Sequence, residues 1–195
     1  MRLRTAVVLC CALIVSAGQS RPISAADSDV TVELRDCIVD AVDPDAFALA
    51  ASEDGDAGAE LTMRECTVIG NVSARLMRLA SNCIFVSRVE VERRQEGCMR
   101  FCYVPAESIV PRRYHCVPDG AHPDARPHFN SLRYADPNYC QLRAVTARAL
   151  REGADDGGEM GVLHALHQPQ RETNLRIRLD EYLRFGLHAG LFYAT

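Results

Sequence analysis

Apolar and polar positions alternate in three segments that read almost alike: Val32-Glu33-Leu34-Arg35-Asp36-Cys37-Ile38-Val39, Leu61-Thr62-Met63-Arg64-Glu65-Cys66-Thr67-Val68 and Arg78-Leu79-Ala80-Ser81-Asn82-Cys83-Ile84-Phe85-Val86. Each passes from alternating apolar residues to a polar pair, then Cys, then a β-branched or aromatic run. Period-two alternation marks a strand with one buried face. A short unit that recurs predicts stacked coils, each burying its apolar face only by lying on the next. The longer gap, from Cys37 to Cys66, contains the acidic loop Ser52-Glu53-Asp54-Gly55-Asp56-Ala57-Gly58. Without that loop the two Cys-to-Cys spacings become similar. A parallel β-helix behaves in this way, with strands in register and loops of any length leaving at fixed corners. Further strands are predicted at Val68 to Val72, Ile84 to Val91 and Met99 to Val104, so the coils occupy residues 27–105.

The texture then changes. Of nine prolines, Pro105, Pro111, Pro118, Pro123, Pro127 and Pro137 crowd one stretch with little periodicity. Tyr103, Tyr114, Phe129, Tyr134 and Tyr139 supply aromatic anchors there, which predicts an ordered irregular segment lying across a scaffold. Two helices follow. The first runs from Leu142 to Arg151 and stops at Gly153. The second runs from Arg171 to Phe185, with Leu175, Leu179, Tyr182 and Leu183 on one stripe and the pairs Glu172/Arg176 and Asp180/Arg184 on the wet side. Gly186 ends it, and the apolar tail Leu187 to Tyr193 is expected to dock as a strand or cap, since an open terminal coil exposes unpaired backbone. The predicted fold is mainly β: a short right-handed parallel β-helix section, an irregular Pro-rich segment and a C-terminal helical cap over 106–195.

Residues 1–25 have the parts of an export signal: Arg2 and Arg4, an apolar core from Ala6 to Ala17, and small residues at Val15-Ser16-Ala17, with a second possible cut after Ile23-Ser24-Ala25. The alternative is a spurious start to a gene fragment. A genuine signal places the protein outside the cytoplasm, secreted or periplasmic, and leaves no integral membrane segment after its removal. The 195-residue chain carries a net charge of −4, which gives no electrostatic case for nucleic acid. All 22 basic residues are Arg, a feature that coding bias explains better than selection.

Candidate chemistry is sparse. Asp36, Asp40, Asp43 and Asp45 cluster near the first coil, with Glu65 one coil above Asp36. Carboxylates on one face could serve as acid and base or nucleophile on a polysaccharide, so Asp36, Asp40 and Glu65 are the catalytic candidates. Asp43 and Asp45 flank Pro44 and read as turn residues. His164 and His167 lie three apart with no third ligand evident, and the close pair Cys98 and Cys102 lacks a second pair, so neither a metal nor a cofactor is expected. Gly157-Gly158 lacks the Lys of a phosphate cradle. Cys37, Cys66 and Cys83 read as small buried hydrophobes. Asn71-Val72-Ser73 matches a glycosylation acceptor. Arg112, Arg113, Tyr114, Arg126, Arg133 and Tyr134, with His128, interleave Arg and Tyr in a way that suits carbohydrate or protein contact. Simple pinning of the segment by its aromatic rings is the plainer reading.

Three strings carry a resemblance: Arg93-Arg94-Gln95-Glu96-Gly97-Cys98-Met99-Arg100-Phe101-Cys102-Tyr103-Val104-Pro105, Ser131-Leu132-Arg133-Tyr134-Ala135-Asp136-Pro137-Asn138-Tyr139-Cys140-Gln141-Leu142 and Arg184-Phe185-Gly186-Leu187-His188-Ala189-Gly190-Leu191-Phe192-Tyr193-Ala194-Thr195. Over residues 30–195 the chain resembles the C-terminal region of large, uncharacterised bacterial proteins of right-handed parallel β-helix (pectate-lyase-like) character, some of which accompany phage-tail-like gene clusters. The resemblance implies architecture and carries over no catalytic residue. The expected function is a non-enzymatic structural or binding module of a β-helical surface or tail-like protein, with carbohydrate or other protein subunits as partners. The alternatives are a polysaccharide-active lyase or hydrolase, and an assembly or oligomerisation cap.

Overall fold

The computed structural model describes residues 7–16, 30–43, 45–52 and 55–190. The strands are β1 (Val7–Ser16), β2 (Thr31–Asp40), β3 (Phe47–Leu49), β4 (Gly58–Arg64), β5 (Thr67–Ile69), β6 (Asn71–Ser81), β7 (Ile84–Phe85), β8 (Val89–Val91), β9 (Cys98–Arg100) and β10 (Arg112–Tyr114). The fold is mainly β, a parallel sheet curled into a half-barrel. One side stacks β2, β4, β6, β9 and β10 in that order, each parallel to the next. The end of β2 continues past a bend to pair with β5, and β5 with β7. The first half of β6 pairs with β3 and β8. Of the segment read as an export signal, only residues 7–16 are described. They form β1, antiparallel to β2, and both candidate cleavage regions beyond Ser16 lie outside the described residues.

The three repeated segments sit on neighbouring parallel strands of the sheet. Leu34, Met63, Ala80 and Met99 are register partners in turn, and Val39, Val68 and Phe85 form a second column across the bend. All are buried among apolar neighbours. Each large side chain in such a column contributes roughly 1.5–3 kcal/mol by leaving water, and no coil can obtain that alone. The bend between the columns recurs at one place per coil. Asp36, Glu65, Asn82, Phe101 and His115 all adopt left-handed backbone, with φ between 48° and 56°. Each is followed by a cysteine, so the corner is a local conformation repeated up the stack. Gly97 opens the β9 coil at φ +84°, where a Cβ would fall 1.9 Å from the Met77 carbonyl oxygen. Only glycine fits there. On the outer side Glu60 accepts bonds from Arg75 (2.8 Å) and Arg78 (2.6 Å), and these guanidinium groups hold its carboxyl below the usual carboxylate range.

The C-terminal half departs from expectation in three ways. The first helix, α1, covers only Arg148–Arg151. Leu142 instead bridges Phe129, and Thr146 Oγ1 donates to the His128 carbonyl and accepts from the His128 amide, so the segment before α1 is held as a bridge and turn against the Pro-rich stretch. The second helix, α2, spans Gln168–Tyr182, earlier than predicted at both ends, with Pro169 in its first turn. Its stripe is not buried. Leu175, Ile177 and Tyr182 are exposed, and only Leu179 and Leu183 are partly covered. A helix dominated by Arg, Asp, Glu, Asn and Gln has too little apolar surface to hold a docked position. Third, the C-terminal segment does not close the end of the stack. Leu142, Leu150 and Met160 pack on the outward column Ile84, Tyr103 and Val117, while Cys140 joins Ile38 and Ile69. It lies along the side of the coils, and the described part of the tail, with Leu187 at 59% exposure, is not docked. Residues 191–193 lie outside the described residues. No helix among the described residues is long and apolar enough to cross a membrane.

Candidate functional site

The repeated corner concentrates reactive side chains by construction. Cys66, Cys83, Cys102 and Cys116 follow the left-handed residue on four successive coils and lie inside the core. The first three thiols donate to the carbonyl two residues back, Arg64 at 3.0 Å, Ser81 at 3.2 Å and Arg100 at 3.0 Å, while Cys116 faces the Met99 carbonyl at 3.3 Å and the Tyr114 carbonyl at 3.6 Å. A left-handed residue turns the chain so that the next Cβ points inward and its sulfur meets the preceding carbonyl. Cys37 starts the ladder in the same position. Its sulfur is in a disulfide, so its 2.8 Å approach to the Arg35 carbonyl is a contact without a proton.

The thiols also touch one another. The Cys66 thiol is pushed up by its bond to Cys83 and then by burial. Cys83 and Cys102 are pushed up by burial first and by the next sulfur in line second. At the end of the ladder Cys116 is pulled down to about 7, chiefly by its side-chain hydrogen bond with Cys102. The expectation that Cys66 and Cys83 act as small buried hydrophobes agrees with this placement, while the same expectation for Cys37 is corrected by its disulfide. Two members were missed in the sequence, although Arg100-Phe101-Cys102-Tyr103-Val104 and Tyr114-His115-Cys116-Val117 repeat the polar, left-handed, Cys, apolar order.

The predicted acids fall in two places. Asp36 and Glu65 occupy the corner of adjacent coils, as their spacing implied. Asp40 is at the far end of β2 and buried, one oxygen accepting from the Val42 amide at 2.7 Å and the other from the Tyr139 hydroxyl. Asp40 is thus tied into the scaffold. Tyr139 is pushed upward by burial and by this carboxylate.

The Arg and Tyr candidates also divide. Arg112, Arg113 and Tyr114 form β10, the last strand of the stack. Arg113 donates to the carbonyls of Pro105 (3.3 Å) and Ser108 (3.2 Å), while Arg112 and Tyr114 are exposed. Tyr114 meets Phe101 and His115 edge-on, and Phe101 stacks on His115 one coil away. Arg133 and Tyr134 sit on the exposed turn whose Tyr134 ring meets Tyr139 edge-on at 6.1 Å. Tyr139 binds the β2 coil, and β10 lies four strand spacings away, roughly 19 Å along the stack at about 4.8 Å each. Arg126 and His128 are exposed on the segment between. These residues line separate stations along the flank and not one pocket.

One cluster was only half visible in the sequence. His164 and His167, on and after a short 3-10 turn (His164–Leu166), meet the acidic loop before them. Asp156 Oδ1 accepts from the Gly158 amide at 2.8 Å, and its Oδ2 faces His164 Nε2 at 3.4 Å and His167 Nε2 at 3.8 Å. His164 Nδ1 lies 2.9 Å from the Glu159 carbonyl. A carbonyl can only accept, so Nδ1 carries a proton, and in the neutral ring Nε2 is the nitrogen left to accept or ligate. Asp155 is gripped by Asn82 of the stack, whose amide donates at 2.7 Å and accepts the Asp155 N–H at 3.2 Å. Ligand atoms of Asp155, Asp156 and His164 all lie within 4.8 Å of one another. The third partner that the His pair lacked in the sequence comes from this loop. Burial pushes the nearby Glu159 carboxyl up to about 7.

No family model, curated protein or solved structure matches the chain.

Proposed function

We propose that the chain is a non-enzymatic structural or binding module: a section of right-handed parallel β-helix forming the C-terminal part of a β-helical surface or tail-like protein. The observation that carries this reading is the corner ladder. Five coils place a left-handed residue and a cysteine at the same station, and the repeat is spent on a continuous core. Such a stack is a stiff rod that displays side chains at fixed intervals. The exposed ring and guanidinium of Tyr114 and Arg112 on β10 suit a carbohydrate or a protein subunit, outside the cytoplasm if the N-terminal segment directs export. The test is incubation with a panel of acidic and neutral polysaccharides, scoring both binding and bond cleavage. Saturable binding that weakens at least tenfold in Tyr114→Ala, without new chain ends, is the expected result. Cleavage that is abolished in Asp36→Asn or Glu65→Gln would establish the lyase or hydrolase alternative, which the stacking of those two acids favours.

An assembly role is the second reading, favoured by the exposure of Tyr182, Phe185 and Leu187 near the chain end. It predicts concentration-dependent association that Phe185→Ser removes, read by sedimentation.

A further inference from the structure

The loop after α1 and the 3-10 turn bring two carboxylates and two imidazoles to one point on the side of the stack. Their spacing is not that of groups bonded to each other. A direct N–H to oxygen bond spans about 2.7–3.2 Å, whereas Asp156 Oδ2 stands 3.4 Å and 3.8 Å from the two Nε2 atoms. Ligands held about 2.0–2.2 Å from a tetrahedral ion sit about 3.3–3.6 Å from each other, which is the Asp156–His164 separation and close to that of His167. We propose that Asp155, Asp156 and His164 form a binding site for one divalent transition metal ion of the zinc class, with His167 at its edge.

Three further observations point to the same site. The Glu159 carbonyl fixes the His164 tautomer that leaves Nε2 free, the usual outer support of a ligating imidazole. Asn82 orients Asp155 from the opposite side, through two hydrogen bonds that reach across from the stack. Gly158 lies beneath the cluster. A Cβ there would sit 2.9 Å from Asp156 Oδ1, 3.2 Å from His167 Nδ1 and 3.3 Å from His164 Nδ1, so any other residue would push the ligands apart. Two carboxylates balance a divalent charge, and the imidazole of His164 favours Zn, Co, Ni or Cu over Mg and Ca, which take oxygen. Asp155 and Asp156 are exposed, which leaves an entry path. The bound ion clasps the loop and the start of α2 to Asn82, a corner residue of the parallel stack.

The test titrates the metal-free full chain with Co2+ and then Zn2+. The expected result is one equivalent of Co2+ with visible ligand-field bands but no ultraviolet sulfur-to-cobalt charge transfer, displaced by Zn2+. Affinity falls at least about tenfold in His164→Ala and in Asp156→Asn, the range seen when a ligand's support is lost. His122→Ala, whose ring pairs with Asp119 elsewhere on the surface, leaves it unchanged. Circular dichroism monitors folding, and Asp156→Asn, at an exposed position, keeps the test valid if His164→Ala does not fold. Charge transfer from sulfur would place the ion on the cysteines and overturn the proposal. So would unchanged affinity in both variants, or no binding.

Discussion

The parallel stack and the segment that runs along its side are held by different means, and the contrast explains what each can tolerate. In the stack, neighbouring coils share backbone ladders and columns such as Leu34, Met63, Ala80 and Met99, so every residue in a column depends on the coil above and below. The side segment, from about Ala125 to Val162, has almost no ladder of its own. It is attached by the apolar packing of Leu142, Leu150 and Met160 and by separate links: Tyr139 to Asp40, Asp155 to Asn82, the Gly161 amide to the Asn82 carbonyl and the Val162 amide to Thr67 Oγ1. A stack propagates a defect along its length, while a set of links loses one attachment at a time.

The largest effect that would sharpen this contrast is expected inside the stack. Phe85 is fully buried in the column with Val68, and Phe85→Ala leaves a cavity costing about 3–5 kcal/mol, read as a loss of denaturant midpoint. A cost below about 1 kcal/mol would break the claim that this column is continuous.

Next comes Glu60→Gln on the outer side of β4, expected to cost roughly 2 kcal/mol because Arg75 and Arg78 lose their charged acceptor. Its pH dependence has a definite sign. The folded carboxyl titrates below its unfolded value of 4.5, so its stabilisation is fully present above pH 4.5 and is lost as pH falls through the lower folded value. The wild-type and Glu60→Gln unfolding curves should therefore converge on acidification, and a gap that widens below pH 4.5 would contradict the assignment.

Tyr139→Phe removes one link of the side segment and leaves Asp40 short of a donor, at about 1–2 kcal/mol. Limited proteolysis should then open the chain between Ala125 and Val162 while residues 58–117 stay resistant. Simultaneous loss of both would mean that the two regions unfold as one. The smallest effect belongs to α2. Leu175→Ser and Ile177→Ser, both at exposed positions, are expected to change stability by under about 0.5 kcal/mol.

The same contrast governs what could be read from the chain. The parallel strands were legible because alternation and the recurring Cys are local signals, and three of the five corners fall in the repeated segments at Asp36, Glu65 and Asn82. The corners at Phe101 and His115 were hidden because aromatic rings replace the polar residue before Cys, so the pattern changed in type while the backbone did not. The side segment was much less legible. Its contacts join residues far apart, such as Asp155 with Asn82, and no periodicity records such a pairing. The helical stripe of α2 misled for a related reason. Spacing places apolar residues on one face, but burial requires a surface to receive them, and the stack's outward column is already covered by Leu142, Leu150 and Met160. The metal candidates show both sides of this. His164 and His167 were visible as a pair, whereas Asp155 and Asp156 meet them only through the 3-10 turn and the hydrogen bonds of Asp155 with Asn82.

The central claim is that an in-register parallel stack forms the stable unit and the C-terminal segment is attached to its side. Residue-resolved amide hydrogen exchange tests it most directly. The account predicts that amides in β4, β6 and β9, with the corner residues Glu65 and Asn82, exchange last and together, that residues 125–162 open earlier, and that α2 exchanges first. Slowest exchange in α2 or in residues 125–162, with the strands opening before them, would contradict it.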